Sequence, residues 1–309
     1  MHVRPDLRSD IGSSIVSDAA SVTPIVLEAM KRGDNPRLRE VLALLVTHVH
    51  AFLREARLTD DEYEYALDFV RRVGLACNDK HNEVVLLADV LGFSTLVKVL
   101  NNSLHLESTG GALLGPFYRG NSPHYELGAS LDQQSTSDPV LFVSGHVKAT
   151  DGTPVVGAKV DVWQASPVGL YENQDPGQPD MNLRGNFSTS ASGEFHFQTV
   201  RPAGYPVPTN GPVGELLREQ KRHPYRPAHL HFVVFAQGFD TLISQIFADD
   251  AEYLNSDVVF GVTRDLIGKF ERHDAGSGPH PGQPQSYYTL HCEFVLAEGV
   301  ATLPTPPIK

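Results

Sequence analysis

Two histidines separated by a single residue are the clearest chemical signal in this chain. His229 and His231 stand in the apolar stretch 229–235, whose composition is typical of a buried strand. Side chains alternate faces along a strand, so residues two positions apart can offer two imidazoles to one ion. His48 and His50 have the same spacing, but they stand in a strongly helical stretch, where such residues do not share a face. The pattern favours a metal site at His229 and His231 over histidines satisfied by their neighbours, and it leaves Zn, Cu, Fe and Ni open.

One tyrosine stands in each of two long polar segments. Tyr171 lies in 169–184 and Tyr205 lies in 201–227, and neither segment shows a helical or strand period. Loops of that length are usually functional or disordered. A tyrosine beside prolines is by itself more often a packing residue than a ligand, so spacing alone leaves both roles open.

Composition limits the classes of function. The 309 residues suffice for two domains, and fractions of 41% apolar and 20% charged residues are ordinary for a globular protein. A net charge of −12 without a lysine or arginine run argues against nucleic-acid binding. Cys77 and Cys292, one in each predicted domain, are expected to be packing residues in a reducing compartment. Residues 1–6 open no signal peptide and no apolar span approaches membrane length, so we expect a cytoplasmic protein without a membrane span.

Residues from about 20 to 105 are predicted to be helical. An amphipathic stripe runs through 37–58, and the periodic pattern continues through 82–91 and 94–100. Between them, Thr59-Asp-Asp-Glu is a capping box that opens another helix. The side chains of that helix predicted to face inward are Tyr63, Ala66, Leu67, Val70 and Val73.

Short strand periods begin at about residue 140, after Gly115-Pro116 and the preceding Gly110-Gly111 break the helical pattern. The predicted strands are 140–143, 145–149, 158–163, 193–197, 229–235, 241–247 and 287–296. Helices followed by strands predict an α+β chain, in which a helical domain (1–109) precedes an all-β sandwich catalytic domain (110–309).

The ligand candidates occur within a longer ordered set of motifs. Tyr171, Gly204-Tyr-Pro-Val-Pro and Arg226-Pro-Ala-His-Leu-His together resemble the intradiol ring-cleavage dioxygenases, and the resemblance covers residues 110–300. It extends to Asp161-Val-Trp-Gln-Ala, Leu183-Arg-Gly-Asn-Phe and Gly193-Glu-Phe-His-Phe. Residues 211–217 resemble the hydroxyquinol 1,2-dioxygenases more than the catechol enzymes. The resemblance implies that the helices form a homodimer, whose interface can hold a phospholipid.

By this resemblance, one Fe(III) per chain is bound by Tyr171, Tyr205, His229 and His231. Phenolate is a hard anionic donor that stabilises ferric iron, whereas zinc prefers Cys, His and carboxylate. A tyrosine with an ordinary pKa near 10 ionises in such a site only beside a cation. Tyr205 is further expected to leave the iron and take a substrate proton as a general base.

Two further polar residues are implied in catalysis. Arg226 is expected to stabilise negative charge that develops during the reaction, with a structural salt bridge as the alternative. Gln245 is expected to orient a ligand or the substrate, with an ordinary strand position as the alternative.

The resemblance also assigns the residues that contact the substrate. They are Leu86, Asp89, Leu113, Leu114, Gly115, Pro116, Phe117, Val207, Pro208 and Val259. Asp89 is the most informative, because a carboxylate in an apolar pocket would accept a hydrogen bond from a third ring hydroxyl. Hydroxyquinol has that hydroxyl and catechol lacks it. The alternative is an ordinary charge on a helix surface.

The implied reaction is cleavage of hydroxyquinol (benzene-1,2,4-triol) by O2 between the vicinal hydroxylated carbons, giving 3-hydroxymuconate or maleylacetate. Within the family, the alternative is catechol or a substituted catechol giving a muconate. Outside it, the alternatives are a binding module with a vestigial metal site and a zinc hydrolase built on His-x-His. Retention of all four ligands with Arg226 argues against the first, and the lack of a third His or carboxylate at useful spacing argues against the second.

Overall fold

The computed structural model describes residues 15–79, 81–102, 107–134 and 138–308. The chain divides into two compact units, Met1–Phe69 and Val70–Lys309, and the domain boundary predicted at residue 109 stays a prediction. Residues 1–6, which bear on the export signal, and residues 103–106 of the predicted helical stretch lie outside the described residues. No helix of the described ranges is both long enough and apolar enough to cross a membrane.

Five helices precede the first strand in the described part of the chain. They are α1 (Ala19–Met30), α2 (Pro36–Ala56), α3 (Asp60–Ala76), α4 (Glu83–Val90) and α5 (Phe93–Asn102). The predicted capping box opens α3: the Thr59 backbone N donates to Glu62 Oε2 (2.9 Å), and the Glu62 backbone N donates to Thr59 Oγ1 (3.3 Å). His48 and His50 both lie in α2, as predicted.

The predicted inward face of α3 is wrong for most of its residues. Val73 is buried, but Tyr63, Ala66, Leu67 and Val70 are exposed. An apolar stripe identifies a face that water should not wet, but it does not say whether the same chain or another molecule covers that face. In this chain the stripe faces outward.

The strands form two main sheets. Their bounds are β1 (Val140–Ala149), β2 (Lys159–Gln164), β3 (Arg184–Ser188), β4 (Glu194–Val200), β5 (Tyr205–Pro206), β6 (Tyr225–Arg226), β7 (His229–Phe235), β8 (Leu242–Ala248), β9 (Ile267–Gly268), β10 (Glu271–His273) and β11 (Tyr287–Leu296). One sheet has the order β10-β11-β1-β4 and the other has the order β3-β2-β7-β8-β9, while β5 pairs only with β6. The predicted α+β class with a β-sandwich is confirmed.

The core lies between the two sheets and is built from alternate residues of each strand. Val143 of β1, Phe197 of β4 and Phe294 of β11 meet Val160 of β2 and Phe232 of β7 in one buried cluster. This alternation leaves the intervening residues on the outer faces of the sheets. The outer face of the five-stranded sheet carries the candidate site.

Gly145 shows how closely β1 approaches its neighbouring strands β4 and β11. A Cβ at this position would collide with the Cys292 carbonyl oxygen and the Phe195 ring. Cys292 is buried here, as expected of a packing residue, and both it and Cys77 are free thiols.

The segment 201–227, predicted to be an irregular loop, instead contains β5, helix α6 (Pro212–Glu219) and β6. A strand of two residues and a helix of two turns are too short to show a period. Pro212 at the first helical position after Gly211 is a local signal for α6 that periodicity does not detect. The segment 169–184 is built mainly of turns, as expected, and β3 begins at its last residue.

Candidate metal centre and substrate cleft

Strand β7 points its two histidines away from the sandwich core. Leu230 and Phe232 pack in the core, while His229 and His231 lie on the opposite face. Both histidines are nevertheless buried, with 1% of each residue exposed. Their Nε2 atoms are 3.0 Å apart. The prediction that strand spacing brings these two imidazoles together is confirmed.

Local pairing and turns bring the two tyrosines to the same place. In the β5–β6 ladder, Tyr205 lies opposite Arg226, and Arg226 precedes His229 by three residues. Tyr171 follows a turn, and its backbone N donates to Gln174 Oε1 (3.1 Å). Tyr171 Oη lies 3.2 Å from Tyr205 Oη and 3.0 Å from His231 Nε2.

The four donor atoms fit one metal ion. Bonds of about 2.0–2.1 Å to a shared ion place neighbouring donors roughly 2.9–3.4 Å apart. The three separations from Tyr205 to Tyr171, from Tyr171 to His231 and from His231 to His229 are 3.0–3.2 Å. Burial, together with the neighbouring Tyr205, raises the pKa of Tyr171 well above its usual range. A cation at this point is what would make the phenolate form favourable, so two phenol oxygens and two imidazoles suit a hard, highly charged ion.

The hydrogen bonds of His229 fix its tautomer. Its Nδ1 lies 2.7 Å from the Pro227 carbonyl oxygen, which can only accept, so Nδ1 carries the proton. Its Nε2 lies 3.1 Å from Arg226 Nη1, and since guanidinium can only donate, Nε2 is unprotonated and accepts that hydrogen bond. A bound cation would take the same lone pair in place of Arg226. Burial and the charge of Arg226 lower the pKa of His229 to about 3. Burial and the neighbouring His229 also lower the pKa of His231 well below its usual range. Both rings are therefore in the neutral form that a metal binds.

The His231 ring is held on every side. Trp163 of β2 stacks on it with ring centroids 4.6 Å apart. Gln245 of β8 places its Nε2 3.3 Å from His231 Nδ1 while donating to the Leu113 carbonyl (2.6 Å). A Cβ at Gly115, whose φ is +77°, would lie only 3.2 Å from His231 Cε1. Gly115 thus has a steric reason to be glycine.

Arg226 is buried and is held by a carboxylate that the sequence did not reveal. Its Nε and Nη2 donate to the two oxygens of Asp257 (both 3.1 Å), and Nη2 also donates to Gln245 Oε1 (3.0 Å). Arg226 lowers the pKa of Asp257 against the effect of burial. Asp257 stands in an irregular segment with no motif to mark it, so only the fold identifies it as the partner of Arg226.

A narrow cleft of about 20 Å³ adjoins Tyr205, one of the four donors. Its lining residues are Leu86, Asp89, Leu113, Gly115, Pro116, Phe117, Tyr205, Val207, Pro208, Arg226 and Val259. Nine of the ten positions assigned to substrate binding from the sequence are therefore brought together here. Leu114, the tenth, packs against the aromatic cluster of Phe117, Trp163 and Tyr171 instead.

Asp89 lies in the wall of this cleft, at the end of α4. It is buried, so a surface helix charge is excluded. Burial raises the pKa of Asp89 to about 6, although the Ser94 hydrogen bond and the charge of Arg226 lower it. The cleft therefore contains one titratable carboxyl among mostly apolar neighbours.

A buried ionic group beside Tyr171 was also missed by the sequence reasoning. Arg184 of β3 donates from Nε to Glu172 Oε2 (2.7 Å), and Arg119 donates to Glu172 Oε1 (2.7 Å). The Arg184 guanidinium carbon lies 5.8 Å from the centroid of the Tyr171 ring. The charges of Arg226 and Arg184 favour the anionic form of this ring, against the effect of its burial. Leu183-Arg-Gly-Asn-Phe was among the quoted motifs, but its sequence gave no role for the arginine.

Comparisons with known proteins agree over almost the whole chain. Residues 113–298 match the family described as "Dioxygenase", and residues 35–109 match "Catechol dioxygenase N terminus". The chain is 40% identical over 275 residues to a hydroxyquinol 1,2-dioxygenase from Rhizobium sp. (strain MTP-10005), covering 88% of this chain and 93% of that protein. It is 42% identical over 255 residues to a catechol 1,2-dioxygenase from Candida albicans, covering 82% and 84% respectively.

Among solved structures, the hydroxyquinol 1,2-dioxygenase from Pseudomonas putida DLL-E4 superimposes with a TM-score of 0.84 at 37% identity. That match covers 91% of this chain and 99% of that one. The catechol 1,2-dioxygenase from Pseudomonas arvilla C-1 gives a TM-score of 0.78 at 27% identity, covering 94% of each chain.

Proposed function

The chain belongs to the intradiol ring-cleavage dioxygenases, and on that basis we propose that it cleaves hydroxyquinol with O2 to 3-hydroxymuconate or maleylacetate. The observation that carries the proposal is the convergence of Tyr171, Tyr205, His229 and His231 beside a cleft that contains Asp89. The family match makes a binding module with a vestigial site a poor alternative, and two tyrosine donors argue against a zinc hydrolase.

Members of this family use iron, and we infer one Fe(III) per chain held by those four side chains. Two phenolates and two neutral imidazoles leave a ferric ion with residual positive charge. When bound, the iron supplies a Lewis-acidic site that activates a chelated vicinal diol toward O2. The interlocked packing of His231 by Trp163 and Gln245 supports a site that keeps its geometry during the reaction.

Tyr205 is the proposed base. Of the two tyrosines, it is the one that also lines the cleft, so its oxygen can reach a substrate hydroxyl. Its phenolate oxygen accepts the substrate proton as the diol binds, which leaves Tyr205 as a neutral phenol. Tyr171 is fully buried, and the positive charges of Arg226 and Arg184 act on it, which suits a ligand that stays in place.

Arg226 is the proposed stabiliser of negative charge on the substrate ring. It lines the cleft, and its pairing with Asp257 fixes the guanidinium while keeping Nη1 directed at His229. A preorganised donor of this kind acts without having to reorient as charge develops. Gln245 is a positioning residue, because it contacts Arg226, His231 and the Leu113 carbonyl without lining the cleft.

Asp89 is the residue proposed to recognise the third hydroxyl of the substrate. The remaining walls proposed for substrate contact are Leu86, Leu113, Gly115, Pro116, Phe117, Val207, Pro208 and Val259, with Leu114 supporting Phe117 from behind. The Asp89 carboxylate can accept a further hydrogen bond besides that of Ser94, and the 4-hydroxyl of hydroxyquinol supplies one. The hydroxyquinol 1,2-dioxygenases among its relatives agree with this choice.

Catechol is the second candidate substrate, favoured by the 42% identity to the Candida albicans enzyme. The decisive experiment is a panel of hydroxyquinol, catechol and chlorocatechols, assayed with the iron-loaded protein and with product identification. The proposal predicts the highest kcat/KM for hydroxyquinol. If catechol is the better substrate, the choice of hydroxyquinol is wrong while ring cleavage stands.

We also infer a homodimer formed through the helices, because α2, α3 and α5 present many exposed apolar side chains. A phospholipid in that interface is a further expectation, which lipid extraction and mass spectrometry would test. The cytoplasmic location expected from the sequence stays a prediction.

A further inference from the structure

The outer face of the four-stranded sheet carries a second group of ligand-type side chains. His146 on β1 and His291 and Glu293 on β11 place their ligand atoms within 4.8 Å of one another. Within the described ranges this is the one such group of three or more His, Cys, Asp or Glu residues. We propose that these three side chains bind a divalent cation of the zinc class, independently of the iron centre.

The strand register sets the spacing of the three side chains. In the parallel β1–β11 pair, Ser144 lies beside His291 and His146 lies beside Glu293. His291 and Glu293 are two residues apart and so share one face, while Cys292 between them packs in the core. The backbone of a buried sandwich therefore holds the group together before any cation binds.

Each histidine has a partner that directs one ring nitrogen toward the group. His146 Nε2 lies 3.4 Å from Glu194 Oε1 of the neighbouring strand β4. Its Nδ1 has no hydrogen-bond partner, is shielded from solvent and lies 3.9 Å from Glu293 Oε1. With Nε2 facing a carboxylate at ion-pair distance, Nδ1 is the ring nitrogen directed at the group. This carboxylate–histidine arrangement is the one that supports metal-bound imidazoles.

His291 is oriented in the same sense. Its Nδ1 lies 3.2 Å from Ser144 Oγ, and its Nε2 lies 3.8 Å from Glu293 Oε1. With Nδ1 engaged by the hydroxyl, Nε2 is the nitrogen available to a cation. Two imidazoles and one carboxylate suit zinc and its neighbours, and three protein ligands leave a coordination position for water.

Lys148 is the internal competitor of the cation. Its Nζ lies 3.0 and 3.1 Å from the two oxygens of Glu293, with both side chains partly exposed. A cation that binds Glu293 must displace this ammonium group. Removing the lysine should therefore strengthen binding, an effect that unspecific surface adsorption would not show.

The test is calorimetric titration of the iron-loaded protein with Zn²⁺, with iron content and the visible band measured before and after. We expect one zinc per chain with both iron measurements unchanged. His291→Ala and Glu293→Gln should lose this binding, and Lys148→Met should tighten it. Glu194→Gln should weaken it by about tenfold or more.

The matched control is His196→Ala. His196 of β4 pairs with Ser144 of β1 on the same outer face, but it does not belong to the group. It should bind zinc like the unaltered protein. Undiminished binding in His291→Ala, equal losses in His196→Ala, or absence of binding at millimolar zinc would overturn the proposal. Loss of iron on zinc addition would mean that zinc had entered the other site, which would also overturn it.

Discussion

Tyr171 is the residue on which the assignment of the iron centre depends most directly. Its replacement by Phe removes one phenolate donor while keeping the ring that stacks on Phe117. We expect a shifted or bleached visible band and weaker iron retention, measured by absorption and metal analysis. Tyr118→Phe is the control, since Tyr118 is buried in the same aromatic cluster without being one of the four donors. Full colour in a Tyr171→Phe, Tyr205→Phe double variant would remove the assignment.

Asp89 should carry part of the preference for hydroxyquinol. A site built to pair with a hydroxyl is left with an unpaired group when that hydroxyl is missing, which costs roughly 1–3 kcal/mol. The kcat/KM for hydroxyquinol should thus exceed that for catechol by about one to two orders of magnitude. Asp89→Ala should narrow the gap by slowing hydroxyquinol and sparing catechol. If the ratio of the two kcat/KM values is unchanged in Asp89→Ala, the preference comes from other cleft residues, such as those of the 113–117 loop.

The same carboxyl should make the preference depend on pH. Because the pKa of Asp89 is raised to about 6, the group is charged above that pH and neutral below it. A neutral carboxyl is the weaker acceptor, so the ratio of the two kcat/KM values should fall as the pH drops through about 6. Asp89→Asn retains the shape without the titration and should give a flat ratio. An equally large fall of the kcat/KM ratio in Asp89→Asn would mean that another group causes the pH dependence.

Asp257 should matter for stability as well as for catalysis. Asp257→Asn leaves the buried Arg226 without its counter-charge, and breaking a buried pair in this way costs about 3–5 kcal/mol. The free energy of unfolding from urea titration measures the loss. Asp250→Asn is the matched control, because it breaks the exposed pair with Arg201 and should cost less than about 1 kcal/mol. Similar losses in both variants would contradict the account.

At the scale of elements, α6 depends on α4 for its first turn. The N-cap residue Gly211 makes no side-chain cap, and the buried Glu83 of α4 accepts the backbone N–H of Val213 instead (2.9 Å). A Cβ at Gly211 would collide with that carboxylate. The capping group of α6 is thus supplied by another helix, and α6 in turn joins the segment of Val207 and Pro208 to β6.

Glu83→Ala should therefore loosen both the helix and the cleft. Loss of a cap costs about 0.5–2 kcal/mol, and we also expect a higher KM because two cleft residues precede α6. Glu62→Ala removes a comparable bond at the start of α3, which supplies no cleft residue, and should lower stability without changing KM. Equal KM values in the two variants would show that the capping of α6 does not affect substrate binding.

At the scale of the whole molecule, the exposed apolar helix faces predict self-association. They include Leu38, Leu44, Leu45, Phe52, Leu67, Phe93, Leu96 and Leu100. Sedimentation should give a dimer at micromolar concentration, and a Leu45→Glu, Phe52→Glu double variant should shift it toward monomer. Val300→Glu, at an exposed apolar residue outside the helices, should leave the dimer intact. A monomeric parent protein would count against the proposal.

The sequence by itself determined what depends on local chemistry. Strand alternation was enough to place His229 and His231 on one face, and the Thr59–Glu62 capping box was enough to locate the start of α3. Ordered motifs were enough to select Tyr171 and Tyr205 as their partners. Each of these inferences uses neighbours in sequence or a known order of motifs, so no distant contact had to be known.

Only the tertiary structure decided which residues support the site. Asp257 is 31 residues from Arg226 along the chain, and Glu83 is 130 residues from Val213. No period or motif links such positions, because their pairing follows from how strands and helices pack. The outward face of α3 and the group of His146, His291 and Glu293 likewise depend on what the neighbouring elements cover. Sequence patterns show which residues can share a face, whereas packing decides what that face meets.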